Sequence, residues 1–223
     1  MIFCIFAVVI SVIIFAFGLQ YARHYIRTRS DNTTLKTSVQ IILLTAFATY
    51  ICFMVYSMYR MAYIPTIIAR HLTAMCGLAV SAVTDIKAKL IPNLVCIVMI
   101  ILWAVEIAVN VILGETNLLF ELEAALIGAA LGGGLLLVGR LISRNGMGMG
   151  DIKLMFAAGL LLGFDDMFGV LLWGLILSLV FSLVLIIMKK AKGSTLICMA
   201  PFFLAGEVVS QLFSFISFLS YDI

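Results

Sequence analysis

Apolar residues fall into long runs at about 2 to 20, 38 to 59, 66 to 84, 94 to 113, 122 to 142, 166 to 188 and 196 to 219, with short polar breaks between them. A membrane-spanning helix needs about 20 mainly apolar residues, so each run predicts one span. A shorter apolar stretch, Ile152 to Gly163, rises only ~18 Å as a helix. It can cross only where the bilayer is thinned or its flanks are buried in protein. Counted as a span, it brings the expectation to an all-α, polytopic helical bundle of about eight transmembrane helices. Read instead as a re-entrant segment, it would leave the chain ends on opposite sides. The first run has no basic segment ahead of it and is followed by arginines, so it reads as a retained span and not as a secretory signal. The longest polar stretch, Tyr21 to Thr37, is too short for a soluble domain. A single membrane domain over 1–223 is expected, with residues 1–65 forming two N-terminal spans and 66–219 the remainder.

Composition reinforces this. Of 223 residues 65% are hydrophobic and 11% charged, too little charge to cover a water-soluble surface and too much apolar matter for a disordered chain. The net charge of +3 gives no reason to expect nucleic acid as a partner. Its placement is more telling, because loops rich in lysine and arginine stay in the cytoplasm. With eight spans and an outside amino terminus, Arg23, Arg27, Arg29, Lys36, Lys87, Lys89, Arg140, Arg144, Lys153, Lys189, Lys190 and Lys192 all sort to one side, and only Arg60 and Arg70 lie opposite. Both termini are then outside. The five cysteines stand singly in apolar runs and read as small hydrophobes, neither metal ligands nor a disulfide framework.

Within membrane depth a carboxylate is costly unless solvated or paired, which singles out Asp85, Glu106, Asp151 and Glu207. Asp85 and Asp151 lie at span ends on the same membrane face. Asp151 follows Asn145-Gly146-Met147-Gly148-Met149-Gly150, where alternate glycines permit unusual dihedrals and close approach. Taken alone, that loop reads more readily as a flexible turn with a capping aspartate. Asp85 precedes Ile86-Lys87-Ala88-Lys89-Leu90-Ile91-Pro92-Asn93, and alone it reads equally as a boundary anchor.

Together the segments Asp…Ile-Pro-Asn and Gly-x-Gly-Asp, with a weaker match at Ala200-Pro201-Phe202-Phe203-Leu204-Ala205-Gly206, resemble the type IV prepilin peptidases, membrane aspartic peptidases of the GxGD kind. The resemblance covers roughly residues 70 to 210. It implies that Asp85 and Asp151 are the catalytic carboxylates and that 66–219 is the peptidase core. Gly146, Gly148, Gly150, Lys87, Lys153, Pro92 and Asn93 become candidate substrate-binding or supporting residues. The implied partners are prepilin or pseudopilin-like precursors with a short basic leader, and membrane lipids, in a prokaryotic cytoplasmic membrane. No cofactor and no metal are implied. The chemistry independently suits a pair of carboxyls: one ionised group deprotonates water while its protonated partner polarises the scissile carbonyl.

Two other readings stand beside this one. A preflagellin or other GxGD peptidase would share the site and differ in substrate. A small proton-coupled transporter would use the intramembrane carboxylates instead, although no internal repeat favours it. Gly128 and Gly132 form a small-xxx-small face expected to pack helices closely. His71 lies ~21 Å along its span from Asp85, too far for direct contact. Glu106 and Glu207 are expected to be neutral, bonded to backbone or to each other. Bifunctional members of the resembled family carry two CxxC pairs in a large loop after the first span and methylate the new amino terminus. The stretch Tyr21 to Thr37 has no cysteine, so a peptidase without that module is expected.

Overall fold

A computed structural model of the chain describes residues 2–29, 37–112, 114, 117–143, 147–189 and 197–221, and all the regular structure among them is helical. In chain order these are α1 (Ile2–Arg29), α2 (Thr37–Arg60), α3 (Pro65–Ala88), α4 (Asn93–Ile112), α5 (Leu118–Ile142), α6 (Met149–Ile187) and α7 (Ala200–Tyr221). All seven have helices long and apolar enough to cross a membrane. The protein is an all-helical, multi-pass membrane bundle.

Element boundaries follow local chemistry. Ile64 is extended ahead of Pro65, whose fixed φ suits the first turn of α3. At the other end Lys89 takes the left-handed conformation, and its N–H closes on the Asp85 carbonyl at 2.8 Å. Pro92 then blocks any continuation, and α4 starts at Asn93. The Asn117 side chain accepts from Leu119 N–H and caps α5. In α1 the helix runs on through Tyr21 to Arg29, so much of the polar stretch expected as loop is helical. A polar segment directly following an apolar span has no reason to unwind when its backbone bonds are already made.

The segments expected separately at 152–163 and 166–188 form one helical run, α6, broken at Gly163 with φ 72° and ψ −168°. Only glycine adopts that conformation readily. The break folds the chain back on itself. Met155 and Met167 both flank the position of Gly132, although a straight helix would hold them ~18 Å apart. Likewise Asp151 lies beside Asp85, and Phe181 packs on Phe202, two residues beyond the Asp85 contact at Ala200. A straight helix would separate residues 151 and 181 by ~45 Å. Two antiparallel arms, 149–162 and 164–187, therefore correspond to the two spans read separately in the sequence.

Glycines allow the first arm to lie against α5. A Cβ on Gly128 would collide with the Gly159 carbonyl, one on Gly159 with the Gly128 carbonyl, and one on Gly132 with the Met155 carbonyl. The small-residue face thus brings two backbones together, as expected for helices that associate by packing in lipid. A π-helical turn, Ala130–Gly134, lies within this contact.

Helix α3 is the axis of the bundle, buried along most of its length and shared by two apolar clusters. On one side it packs with α1 and α2; on the other, with α4, α6 and α7. The Cys76 thiol reaches the Ser11 carbonyl and Gly18 faces Val80, so α1 runs parallel to α3. Ala200 lies at Asp85 and Gln211 at His71, so α7 runs antiparallel to it. The Ile2 end of α1 and the Tyr221 end of α7 consequently share the membrane face opposite Asp85.

Candidate active site

Three helix ends converge where α3 stops. Asp85 sits one turn before the end of α3, Asp151 in the first turn of α6, and Ala200 at the start of α7. Both aspartates are buried, 6% and 9% exposed, and their carboxyls are close enough to act on each other electrostatically. Residues 66 positions apart in sequence are thereby paired.

Each carboxyl is held differently. Asp85 Oδ2 accepts from the Ala200 backbone N–H at 3.2 Å, one of the amides at a helix start that have no partner within the helix. The Asp85 carbonyl also accepts from the Cys198 thiol at 3.3 Å and from Lys89 N–H. The segment leading into α7 is thus fastened to Asp85 at two points. Asp151 is less constrained: its Oδ1 is buried without a hydrogen-bond partner among the described residues.

The glycines shape the site by their bulk, not by unusual dihedrals. Gly148 is extended at φ −67° and ψ 137°, which any residue tolerates, but a Cβ there would sit 2.7 Å from Asp151 Oδ2. Gly150 lies against Ile91, whose Cβ would be 3.0 Å from an added Cβ. Close approach, one of the two properties expected of this run, is the one used at these positions. Gly146 lies outside the described residues. Pro92 is buried, and its carbonyl accepts Val95 N–H at the start of α4. Lys153 Nζ donates to Asn93 Oδ1 at 3.3 Å, joining α6 to α4 beside the pair. Lys87 is exposed in the last turn of α3.

Three contributors were not anticipated from sequence. The backbone amide of Ala200 carries no side-chain signal at all. Cys198 stood as a small hydrophobe, and burial together with the Asp85 and Asp151 carboxylates raises its thiol above the ordinary range, despite the opposing Lys89 charge. Arg140, at the end of α5, donates to the Met147 carbonyl at 2.5 Å and anchors the chain just before Gly148. Its position in an amphipathic last turn ahead of the glycine run was the available hint.

The other intramembrane acids find separate partners, not each other. Glu106 accepts from the Thr73 hydroxyl at 3.0 Å, and Glu207 meets His71 at 3.0 Å. Both contacts lie on α3 away from Asp85, and His71 occupies the opposite end of the helix, as its spacing implied.

A model of the type IV leader peptidase family matches residues 72–183, half of the chain, from Leu72 in α3 into the second arm of α6 and including Asp85 and Asp151. Searches of curated proteins and of solved structures gave no match.

Proposed function

Because the chain belongs to the type IV leader peptidase family, we propose that it is a metal-independent aspartic endopeptidase that removes the short basic leader from prepilin or pseudopilin-like precursors at the cytoplasmic face of a prokaryotic membrane. The observation that carries this reading is the meeting of Asp85 and Asp151, from two different helices, at one buried site on one bundle end. Twelve basic residues assigned to that same side support its being cytoplasmic.

Two carboxyls in one site titrate as a pair and hold one proton between them over a range of pH. The ionised member takes a proton from water as the oxygen attacks the scissile carbonyl carbon. The protonated member donates to the carbonyl oxygen, which becomes the hydroxyl of a tetrahedral intermediate. As that intermediate collapses, the C–N bond breaks and the leaving amine takes a proton from the site. The Ala200 amide fixes one Asp85 oxygen through this sequence, and the unpartnered Asp151 Oδ1 offers the second reacting position. Membrane depth favours a bond at the junction of a polar leader and an apolar helix. Such a bond meets the site with the helix in lipid and the leader in water. Its peptide must be unwound there, since a regular helix encloses its carbonyls.

Asp85→Asn and Asp151→Asn are each expected to abolish cleavage of a prepilin-like precursor by purified enzyme in lipid, with insertion intact. The double variant is expected to be hardly worse than either single one, because groups acting as a unit are not additive. Chelators are expected to leave the rate unchanged. Cleavage surviving either substitution would remove that aspartate from the mechanism.

A further inference from the structure

The same three helices that form the dyad meet a second time, ~21 Å further along α3, around His71. This side chain is 1% exposed. Its Nδ1 lies 3.0 Å from Glu207 Oε1 and 2.9 Å from Gln211 Nε2, both on α7. Its Nε2 lies 3.1 Å from Asp166 Oδ2, at the start of the second arm of α6. Tyr50 of α2 is within electrostatic reach of Glu207, and Tyr63, just before α3, is within reach of Asp166. One imidazole therefore joins α3, α6 and α7 at the end of the bundle opposite the two aspartates.

We propose that His71 is a positioning residue that holds Asp85, Asp151 and the Ala200 amide in register from the opposite end of the bundle. The proposal rests on the peptidase reading for its consequence in catalysis, but the coupling between the two ends does not. Lipid is as apolar as the packed side chains, so burial alone does not seat one span on another, and close packing together with interhelical hydrogen bonds sets their register. A slip of one residue moves a helix by ~1.5 Å. Gly206 packs on the Val170 carbonyl and seats α7 on the second arm of α6, and the bonds from the single buried ring tie that pair of helices to α3 at this end. The hairpin at Gly163 makes this effective, because Asp166 follows the fold-back by three residues and ties down the tip from which the first arm returns to Asp151. Losing the ring would leave the buried Glu207 and the partly exposed Asp166 without this partner and loosen both helices from α3.

The test uses full-length enzyme in lipid vesicles with Cys198 as its only cysteine. The Cys198 thiol rests on the Asp85 carbonyl, so its rate of reaction with a small maleimide reports how firmly α7 is seated at the dyad. His71→Ala is expected to speed this labelling several-fold although the substitution lies at the far end. It is also expected to lower kcat by about 10- to 100-fold with KM little changed, since a ~1 Å misplacement of reacting groups costs on that order. His71→Gln, which retains one amide donor for a carboxylate, is expected to fall between. Wild-type labelling and kcat in a folded His71→Ala enzyme would overturn the proposal. If that variant does not fold, Asp166→Asn decides, since its side chain is 31% exposed and its loss is milder. The same changes in smaller measure support the proposal, and no change in either overturns it. Faster labelling in a protein whose unsubstituted form cleaves no precursor would refute the peptidase reading and leave the coupling standing.

Discussion

Gly148→Ala isolates the geometry of the dyad from the stability of the fold. The backbone at 148 already has dihedrals that alanine adopts without strain, so the substitution costs nothing locally. Its effect is confined to the new methyl, which would lie 2.7 Å from Asp151 Oδ2. Ordinary contact begins near 3.4 Å, so the carboxyl must give way by about 0.7 Å or rotate away from Asp85. A displacement of ~1 Å costs on the order of 100-fold in rate, which places the loss in kcat between about 10- and 100-fold, or about 1.4 to 2.7 kcal/mol of barrier. KM for the precursor and resistance to thermal aggregation are expected to stay near wild type. Gly150→Ala is the matched control, since its methyl presses on Ile91 and not on a carboxylate, and it is expected to cost less. The assay is steady-state cleavage of a purified precursor in lipid vesicles, with melting followed on the same samples. A Gly148→Ala enzyme with wild-type kcat would refute the argument that the glycine exists to seat Asp151. A large fall in melting temperature would refute the claim that the effect is confined to the site.

The remaining predictions concern the hairpin, the thiol and the product. Gly163→Ala forces a side chain into a backbone region that glycine alone occupies readily, and it is expected to destabilise the protein by about 1–3 kcal/mol in a detergent unfolding titration; wild-type stability would mean that the fold-back does not depend on that conformation. Cys198 is expected to alkylate slowly at neutral pH, because burial and the neighbouring carboxylates disfavour its thiolate. Removing one negative charge with Asp85→Asn lowers the thiol's proton affinity, so alkylation speeds up at fixed pH and its pH midpoint shifts downward; an upward shift would contradict the placement. A precursor processed in the presence of S-adenosylmethionine is expected to carry an unmethylated amino terminus, and a product heavier by one methyl group at its first residue in mass spectrometry would contradict this.

The membrane class of the protein and its seven long apolar runs were legible in the hydropathy of the chain alone. Span length answers to bilayer thickness, and no tertiary contact is needed to read it. The short stretch 152–163 shows the limit of that reading. Its length left it open between a span and a re-entrant turn, and the choice came from packing, with Gly163 reversing the chain and Gly128 and Gly159 letting the short arm lie against α5. Asp85 and Asp151 were legible because charges are rare at membrane depth and because their surroundings form a recognisable pattern. Their partners were not. The Ala200 amide is a backbone group present at nearly every residue, and nothing in the sequence marks one as aimed at a carboxylate. His71, Asp166 and Glu207 are visible as polar residues in apolar runs, yet their meeting depends on the direction of α7, the hairpin in α6 and the rotation of three helices about their axes. Those quantities are set by side-chain packing between segments distant in the chain, and hydropathy, which scores each segment against lipid by itself, carries no term for them.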